Sequence, residues 1–281
     1  LILGKLEINS FKLIKENSPN LISSKYLPNY TAGLTFFIAV AATNLFHQGN
    51  WQRVFAAKND LILKKSLIFS SIIIFIIVFW MGYTGLISSS LNSNVTPDLA
   101  FFYLVLSNNY LITVSILILA LSLTLSTIDT LINAISSIFI VNGKQINKQI
   151  SGKSAKNKIN YTIILICFLV FILASKGFSV LYLFLLADLF CCAAVVTIFY
   201  GFFSKKIDYR LSYFSILSAL VSGLLFFPSM DFKTSILVGN LLPIEFFSSI
   251  ITANLLFISF AVAIITQILM IIFYSLRSSF K

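Results

Sequence analysis

Charge is the scarcest property of this 281-residue chain, because only 10% of its residues are Asp, Glu, Lys or Arg. A water-soluble domain is about a quarter charged, so an ordinary soluble globular protein is excluded. Hydrophobic residues make up 58% of the chain, and the mean hydropathy is +0.97. Several runs of roughly 20 apolar residues therefore predict helices that span a membrane, since spanning strands are shorter and alternate.

Histidine and cysteine are also rare, with one His and three Cys in the whole chain. Cys167, Cys191 and Cys192 lie in apolar runs without a CxxC spacing, which argues against a disulfide framework and against a zinc site. The sequence contains no P-loop, GxGxxG, HExxH or GxSxG motif. We therefore expect no enzyme activity and no cofactor.

Acidic residues are outnumbered, since 20 Lys and Arg against nine Asp and Glu give a net charge of +11. No basic patch interleaved with aromatic residues stands in a soluble segment, so a nucleic-acid partner is not expected. The basic residues fall in short loops between apolar runs, where they report membrane topology. The lipid bilayer is the expected surroundings.

Seven apolar segments predict about seven transmembrane helices, at 31–47, 66–88, 110–141, 161–175, 179–203, 211–227 and 246–275. Residues 48–65 and 98–107 are each predicted to contain a short helix, and 142–160 a basic loop. The loops after the first, third, fifth and seventh spans are rich in Lys and Arg, and the others are poor. The positive-inside rule then predicts a multi-pass protein of the plasma membrane with a cytoplasmic C-terminus.

A polar stripe crosses the third predicted span, where steps of four, three and four residues place its members on one helix face. It consists of Ser122, Ser126, Asp129 and Asn133. Carboxylates at membrane depth usually face a bundle interior, a water-filled cavity or an ion path. The Ser126-Thr127 hydroxyls suit Na⁺, which prefers oxygen ligands. The alternative is that they bond the carbonyl four residues earlier and only ease helix packing.

The first span ends in a dense polar cluster that includes Thr43, Asn44, His47 and Gln48. It either marks a half-helix whose freed backbone lines a cavity, or it is an ordinary interfacial helix end. Asp188 is the other acid deep in an apolar run. It either pairs inside the bundle or serves an ion or proton path.

Three segments resemble the sodium–solute symporter family, which includes carriers of proline, sugars, urea and pantothenate. The stretch 44–58, NLFHQGNWQRVFAAK, resembles the sixth core helix and its cytoplasmic extension. The stretch 125–134, LSTIDTLINA, resembles the eighth core helix, and 182–191, YLFLLADLFC, the tenth. The resemblance implies an all-α membrane protein, a partial inverted-repeat bundle of the leucine-transporter type.

The resemblance also implies a function and a site. In the family, hydroxyls matching Ser126 and Thr127 bind the coupling Na⁺ together with a carbonyl near Leu123. The unwound part of core helix six lines the substrate cavity, which points to Asn44, His47 and Gln48. Asp129, Asn133 and Asp188 would be a supporting polar network. The implied activity is sodium-coupled symport of a small polar organic solute, of the urea, amino acid or sugar class.

The resemblance divides the chain into three parts. Residues 1–30 would be an extracytoplasmic segment with the remnant of a preceding helix, 31–203 the second repeat with core helices six to ten, and 204–281 two added C-terminal helices. Core helices one to five have no counterpart, and the chain starts at Leu1, so we expect a fragment that needs a missing N-terminal half as its partner. The alternative is a non-transporting remnant or a sensor-type membrane module of the same fold.

Overall fold

The structure, a computed structural model, describes residues 9–92, 94–106, 109–146, 152–204, 208–230, 232, 234–237 and 254–279. Over these residues the ordered elements are helices, apart from one isolated antiparallel bridge between Pro228 and Ser235. The predicted all-α class is thereby confirmed. The inverted-repeat arrangement stays a prediction.

The helices of the described residues follow the predicted order. They are α1 (Asn9–Asn17), α2 (Leu27–Phe46), α3 (Gln48–Phe55), α4 (Asp60–Leu91), α5 (Ala100–Leu106), α6 (Tyr110–Ile146), α7 (Gly152–Ser175), α8 (Val180–Phe203), α9 (Tyr209–Phe226) and α10 (Leu255–Ser279). Short 3₁₀ turns stand at Pro19–Ile22 and Pro97–Leu99. The two predicted short helices are present as α3 and α5.

Six helices of the described part are long and apolar enough to cross a membrane, namely α4, α6, α7, α8, α9 and α10. They indicate a multi-pass membrane protein. The number is one below the seven that hydropathy predicted. Helix α2 forms over the first predicted span but is not in the set, because polar residues such as Asn29, Thr31 and Asn44 dilute its apolar character.

Helix ends differ from the predicted ends where capping residues decide them. Helix α2 begins at Leu27 rather than at residue 31, with Pro28 in its first turn, where a missing N–H costs nothing. Helix α4 begins at Asp60 rather than at residue 66, since the Asn59 side chain accepts a hydrogen bond of 2.8 Å from the Ile62 amide. Hydropathy therefore locates the apolar run and not the helix that contains it.

The predicted basic loop at 142–160 is wrong over most of its length. Helix α6 continues to Ile146, and α7 already begins at Gly152. Lysines are good helix formers, so charge alone does not end a helix. The last span, predicted at 246–275, is described from Leu255 onward as α10, and residues 246–253 lie outside the described residues.

The chain divides into two compact units. The first unit contains Leu1–Ile22 and Gln48–Phe178, with α1 and α3 to α7, and the second contains Ser23–His47 and Ser179–Lys281, with α2 and α8 to α10. The segment predicted as the second repeat, 31–203, contributes residues to both units. Its assignment as a repeat stays a prediction.

The second unit is held by close packing of α8, α9 and α10, with α2 against α8. Its core combines small and large residues: Ala39, Ala42, Tyr182, Leu185, Leu189, Cys192, Phe227, Phe260 and Ala263. At Gly223 of α9 an added Cβ would lie 2.8 Å from Leu189 Cδ1 and 3.1 Å from Ala263 Cβ. Small residues at helix contacts are the usual means of close packing in membranes.

A buried amide connects the same three helices. Gln267 of α10 is fully buried, and its Nε2 donates to the Cys192 carbonyl of α8 at 2.6 Å. Its Oε1 accepts from Thr197 Oγ1 at 3.3 Å, and that hydroxyl lies 2.8 Å from Ser215 Oγ of α9. Every helix of the trio thus contributes a polar group to one network, which fixes their register.

The first unit has fewer contacts between its long helices. The apolar windows of α4, α6 and α7 are 0% buried. Polar contacts join shorter elements to them: Ser10 Oγ lies 2.7 Å from Tyr83 Oη, and Asn17 Nδ2 donates to the Ser90 carbonyl at 2.9 Å. Gln52 Nε2 of α3 donates to Ser137 Oγ of α6 at 2.8 Å.

Replacing Gly223 by Ala should destabilise the second unit. The new Cβ would press on Leu189 and Ala263, and overpacking costs about 1–3 kcal/mol. Gly33→Ala is the matched control, because its Cβ would meet nothing within 4 Å, and a helical Ala is favoured over Gly by about 0.5–1 kcal/mol. Thermal unfolding in detergent should separate the two variants, and equal melting temperatures would contradict the close approach.

Candidate functional site

The polar cluster at the end of the first predicted span coincides with a break between two helices. Helix α2 ends at Phe46, His47 adopts an extended conformation (φ −73°, ψ 103°), and α3 begins at Gln48. The His47 amide bonds the Asn44 carbonyl at 3.3 Å as the last bond of α2. The two helices are therefore discontinuous at His47, an arrangement that a half-helix and an ordinary helix end share.

The imidazole of His47 has an enclosed nitrogen. Its Nδ1 is buried and has no hydrogen-bond partner among the described residues. A buried polar atom without a partner is costly, and polar ligands or water usually satisfy such atoms. Asn44 Nδ2 donates to the Val40 carbonyl at 2.8 Å, and Gln48, partly buried, opens α3 in the first unit.

The polar stripe of α6 is exposed in this chain, although its composition predicted a buried face. Ser122, Ser126, Asp129 and Asn133 are all exposed. Asn133 Nδ2 reaches Asp129 Oδ2 at 3.5 Å, which is long for a hydrogen bond, and Ser122 Oγ donates to the Ile118 carbonyl at 2.8 Å. The stripe is thus a polar strip on a membrane-length helix, and no described residue covers it.

Of the predicted sodium ligands, only Ser126 belongs to this stripe. Thr127 Oγ1 donates to the Leu123 carbonyl at 2.9 Å, so two of the three predicted ligands already touch each other. This is the bond to the i−4 carbonyl that the alternative interpretation expects. Ser126 and Thr127 lie about 100° apart around the helix, so Thr127 is beside the stripe rather than on it.

Asp188 is the predicted site residue that the structure places in a tertiary contact. It is 6% exposed on α8, and Thr43 Oγ1 of α2 donates a hydrogen bond to its Oδ1. Both residues belong to the second unit. Asp188 therefore has a hydrogen-bond partner within the second unit, supplied by the polar cluster at the end of α2.

Sequence reasoning missed the Gln267 network, although a signal was present. Gln267 is a polar residue in the middle of the apolar stretch 255–276. An isolated amide at that depth must find partners in other helices. Its partners are a hydroxyl and backbone groups scattered over α8 and α10, which no spacing rule connects.

The polar groups described above offer mainly oxygen ligands. The described residues contain no group of three or more His, Cys, Asp or Glu placed to hold a metal ion. Hydroxyls, amides, carbonyls and single carboxylates remain at the positions above. Such groups suit hydrogen-bonding solutes and hard monovalent cations rather than transition metals.

No protein-family model, curated protein or solved structure matches the chain. The functional assignment therefore depends on the residues and on their placement. The family resemblance, the solute and the coupling ion stay predictions.

The stripe should face water or a polar partner rather than lipid, because polar groups at membrane depth avoid hydrocarbon. In a chain whose three cysteines are replaced by Ala, Ser126→Cys should react with a water-soluble maleimide in native membranes. Ile128→Cys is the control, since Ile128 is also exposed but lies about 160° around the helix. Labelling is read by mass spectrometry.

Equal reaction of both cysteines would contradict the expected difference in polarity between the stripe and the opposite face of α6. Protection of both, with full reaction after denaturation, would place the whole helix in lipid or protein. Preferential labelling of Ser126→Cys is the expected result.

Proposed function

We propose that the chain is part of a sodium-coupled secondary transporter of a small polar organic solute. The observation that carries this proposal is the helix break at His47, with a buried ring nitrogen that has no partner among the described residues. Broken helices at membrane depth are the usual means by which transporters offer polar groups to a solute.

The solute would be bound from the polar residues at the break. Asn44 and His47 of the second unit offer an amide and an imidazole, and the family resemblance adds Gln48 as a further candidate. Such groups recognise neutral or zwitterionic hydrogen-bonding molecules, which favours the urea, amino acid or sugar class. The enclosed Nδ1 of His47 would gain a partner when the solute binds.

The coupling Na⁺ would use oxygens of α6. Ser126 Oγ, Thr127 Oγ1 and the Leu123 carbonyl are within one helical turn, and Asp129 adds negative charge one turn further on. A hard cation needs more oxygen ligands than one helix face provides. Further ligands would approach from the exposed stripe. A missing N-terminal half is the proposed partner that would supply them.

The membrane orientation follows from the charge pattern. Loops rich in Lys and Arg alternate with poor ones, so the C-terminus would be cytoplasmic and the membrane the plasma membrane. Under this orientation α6 enters from outside and leaves toward the cytoplasm.

A non-transporting module of the same fold is the second candidate. The bond from Thr127 to the Leu123 carbonyl favours it, because hydroxyls satisfied within their own helix need no ion. The reading frame upstream of the codon for Leu1 would discriminate the two. Five or six further spans there favour a carrier.

Sodium-driven uptake tests the transporter. Cells that express the whole gene should accumulate urea, proline or a sugar in Na⁺ medium and not in K⁺ medium. Ser126→Ala and Thr127→Ala should each raise the Na⁺ concentration for half-maximal uptake by about tenfold, the effect of losing about 1.4 kcal/mol of ion binding.

Ser115→Ala is the matched control, since its hydroxyl donates to the Leu111 carbonyl at 2.8 Å on the same helix. Unchanged Na⁺ dependence in both site variants would refute the sodium assignment. Absence of Na⁺-dependent uptake for every solute class would favour the non-transporting module.

A further inference from the structure

We propose that Asp188 and Thr43 form a second monovalent-cation site, in the interior of the second unit and separate from the α6 hydroxyls. The proposal does not depend on the transport function. It follows from the burial of one carboxylate, from its neutral hydrogen-bond partner and from the absence of a basic side chain within 4.0 Å among the described residues.

The carboxylate lies deep in an apolar helix. Asp188 is the ninth residue of α8 (Val180–Phe203), a helix apolar enough to span a membrane, and only 6% of it is exposed. Its neighbours Leu185, Leu189 and Cys192 belong to the hydrophobic core. An ionised carboxylate in such surroundings must be neutralised by a counter-charge or by a bound cation.

The protein supplies a neutral partner instead of a counter-charge. The Thr43 hydroxyl donates a hydrogen bond to Oδ1 of the carboxylate. Among the described residues, the ion pair within 4.0 Å is the exposed one between Lys12 and Glu16. Asp188 therefore has no basic side chain within that distance in the described part of the chain.

The titratable groups nearest to the carboxylate lie on α8 and at the end of α2. On α8 itself the Cys191 and Cys192 thiols lie near the carboxylate, and Tyr182 turns its ring to Phe227 and Phe232. On α2, His47 is one turn beyond Thr43. None of these groups is a permanent cation.

The described titratable groups of α9 and α10 lie far along these helices from the level of Asp188. Gly223 of α9 contacts Leu189, and Arg210 and Tyr213 stand 10–13 residues before it, which is about 15–20 Å along the helix. On α10, Ala263 marks the same level, and Tyr274 lies about 16 Å beyond it.

One positive charge would complete the site. Na⁺ would bind Oδ1 and Thr43 Oγ1 once the hydroxyl rotates to donate to the carbonyl four residues earlier. Only the cation enters and leaves, and no covalent bond is made or broken.

Carbodiimide labelling of the wild-type chain in nanodiscs tests the proposal without a variant. Hydrophobic carbodiimides attack carboxyl groups within the membrane, so peptide mass spectrometry should find Asp188 modified in K⁺ buffer. The label should fall when Na⁺ replaces K⁺ at constant pH and ionic strength, because the bound ion occupies the carboxylate.

Variants give the second readout, in a Ser126→Ala and Thr127→Ala background that removes the proposed α6 site. A bound cation stabilises the fold by mass action, so saturating Na⁺ should raise the melting temperature by about 5 °C relative to K⁺. Asp188→Asn and Thr43→Val should abolish the rise. Thr35→Val should keep it, because Thr35 is buried on the same helix but donates to the Thr31 carbonyl at 2.7 Å.

The proposal is overturned if the modification of Asp188 and the melting temperature are each the same in Na⁺ and in K⁺. It is also overturned if Asp188→Asn retains the full cation-dependent rise. If the wild-type protein shows no Na⁺-driven uptake but Na⁺ still protects Asp188 from labelling, the transport function is refuted and this cation site is not.

Discussion

Polar groups in hydrocarbon must be satisfied within the protein, and this constraint governs both units of the chain. Side-chain hydroxyls meet it locally on the exposed helices: Ser71 bonds the Leu67 carbonyl at 2.7 Å, and Thr124 bonds the Ala120 carbonyl at 2.8 Å. Such bonds let Ser and Thr stand on a helix face without any tertiary partner. A hydroxyl in an apolar helix is therefore weak evidence for a site by itself.

The second unit meets the same constraint between helices. Ser259 Oγ donates to the Gly223 carbonyl at 2.7 Å, Ser222 Oγ lies 3.0 Å from Thr266 Oγ1, and Gln267 reaches α8. These bonds occur where Gly223 allows close approach, so packing and polar pairing support each other. The apolar windows of α8, α9 and α10 are 39%, 22% and 33% buried, whereas those of the first unit are 0% buried. The second unit thus has its own core, and the long helices of the first unit present their surfaces outward.

Hydropathy predicted the positions of the long helices because burial in lipid depends on composition, which the sequence displays directly. The ends were less predictable, since Pro28 and Asn59 act through local geometry and Lys64 and Lys65 continue α4 as readily as apolar residues do. The abrupt change to polar residues predicted that the first helix ends near His47, and it left open whether that end lines a cavity. The partner of Asp188 was not, because Thr43 is 145 positions away and several hydroxyls were equally eligible. Contacts between distant helices depend on the fold, and no spacing rule reports them.

Asp188 and the Ser126-Thr127 hydroxyls differ for this reason in how far their own helix can satisfy them. Thr127 both donates and accepts, so the Leu123 carbonyl satisfies it within α6. An ionised Asp188 only accepts, and no carbonyl of its own helix can serve it. A hydrogen-bond donor must therefore come from another helix, and Thr43 of α2 supplies one hydrogen bond but no positive charge. A neutral donor leaves most of the cost of burying a negative charge uncompensated. The family resemblance emphasises the serine and threonine of α6, whereas hydrogen-bonding capacity singles out the aspartate of α8 as the group that depends on another helix.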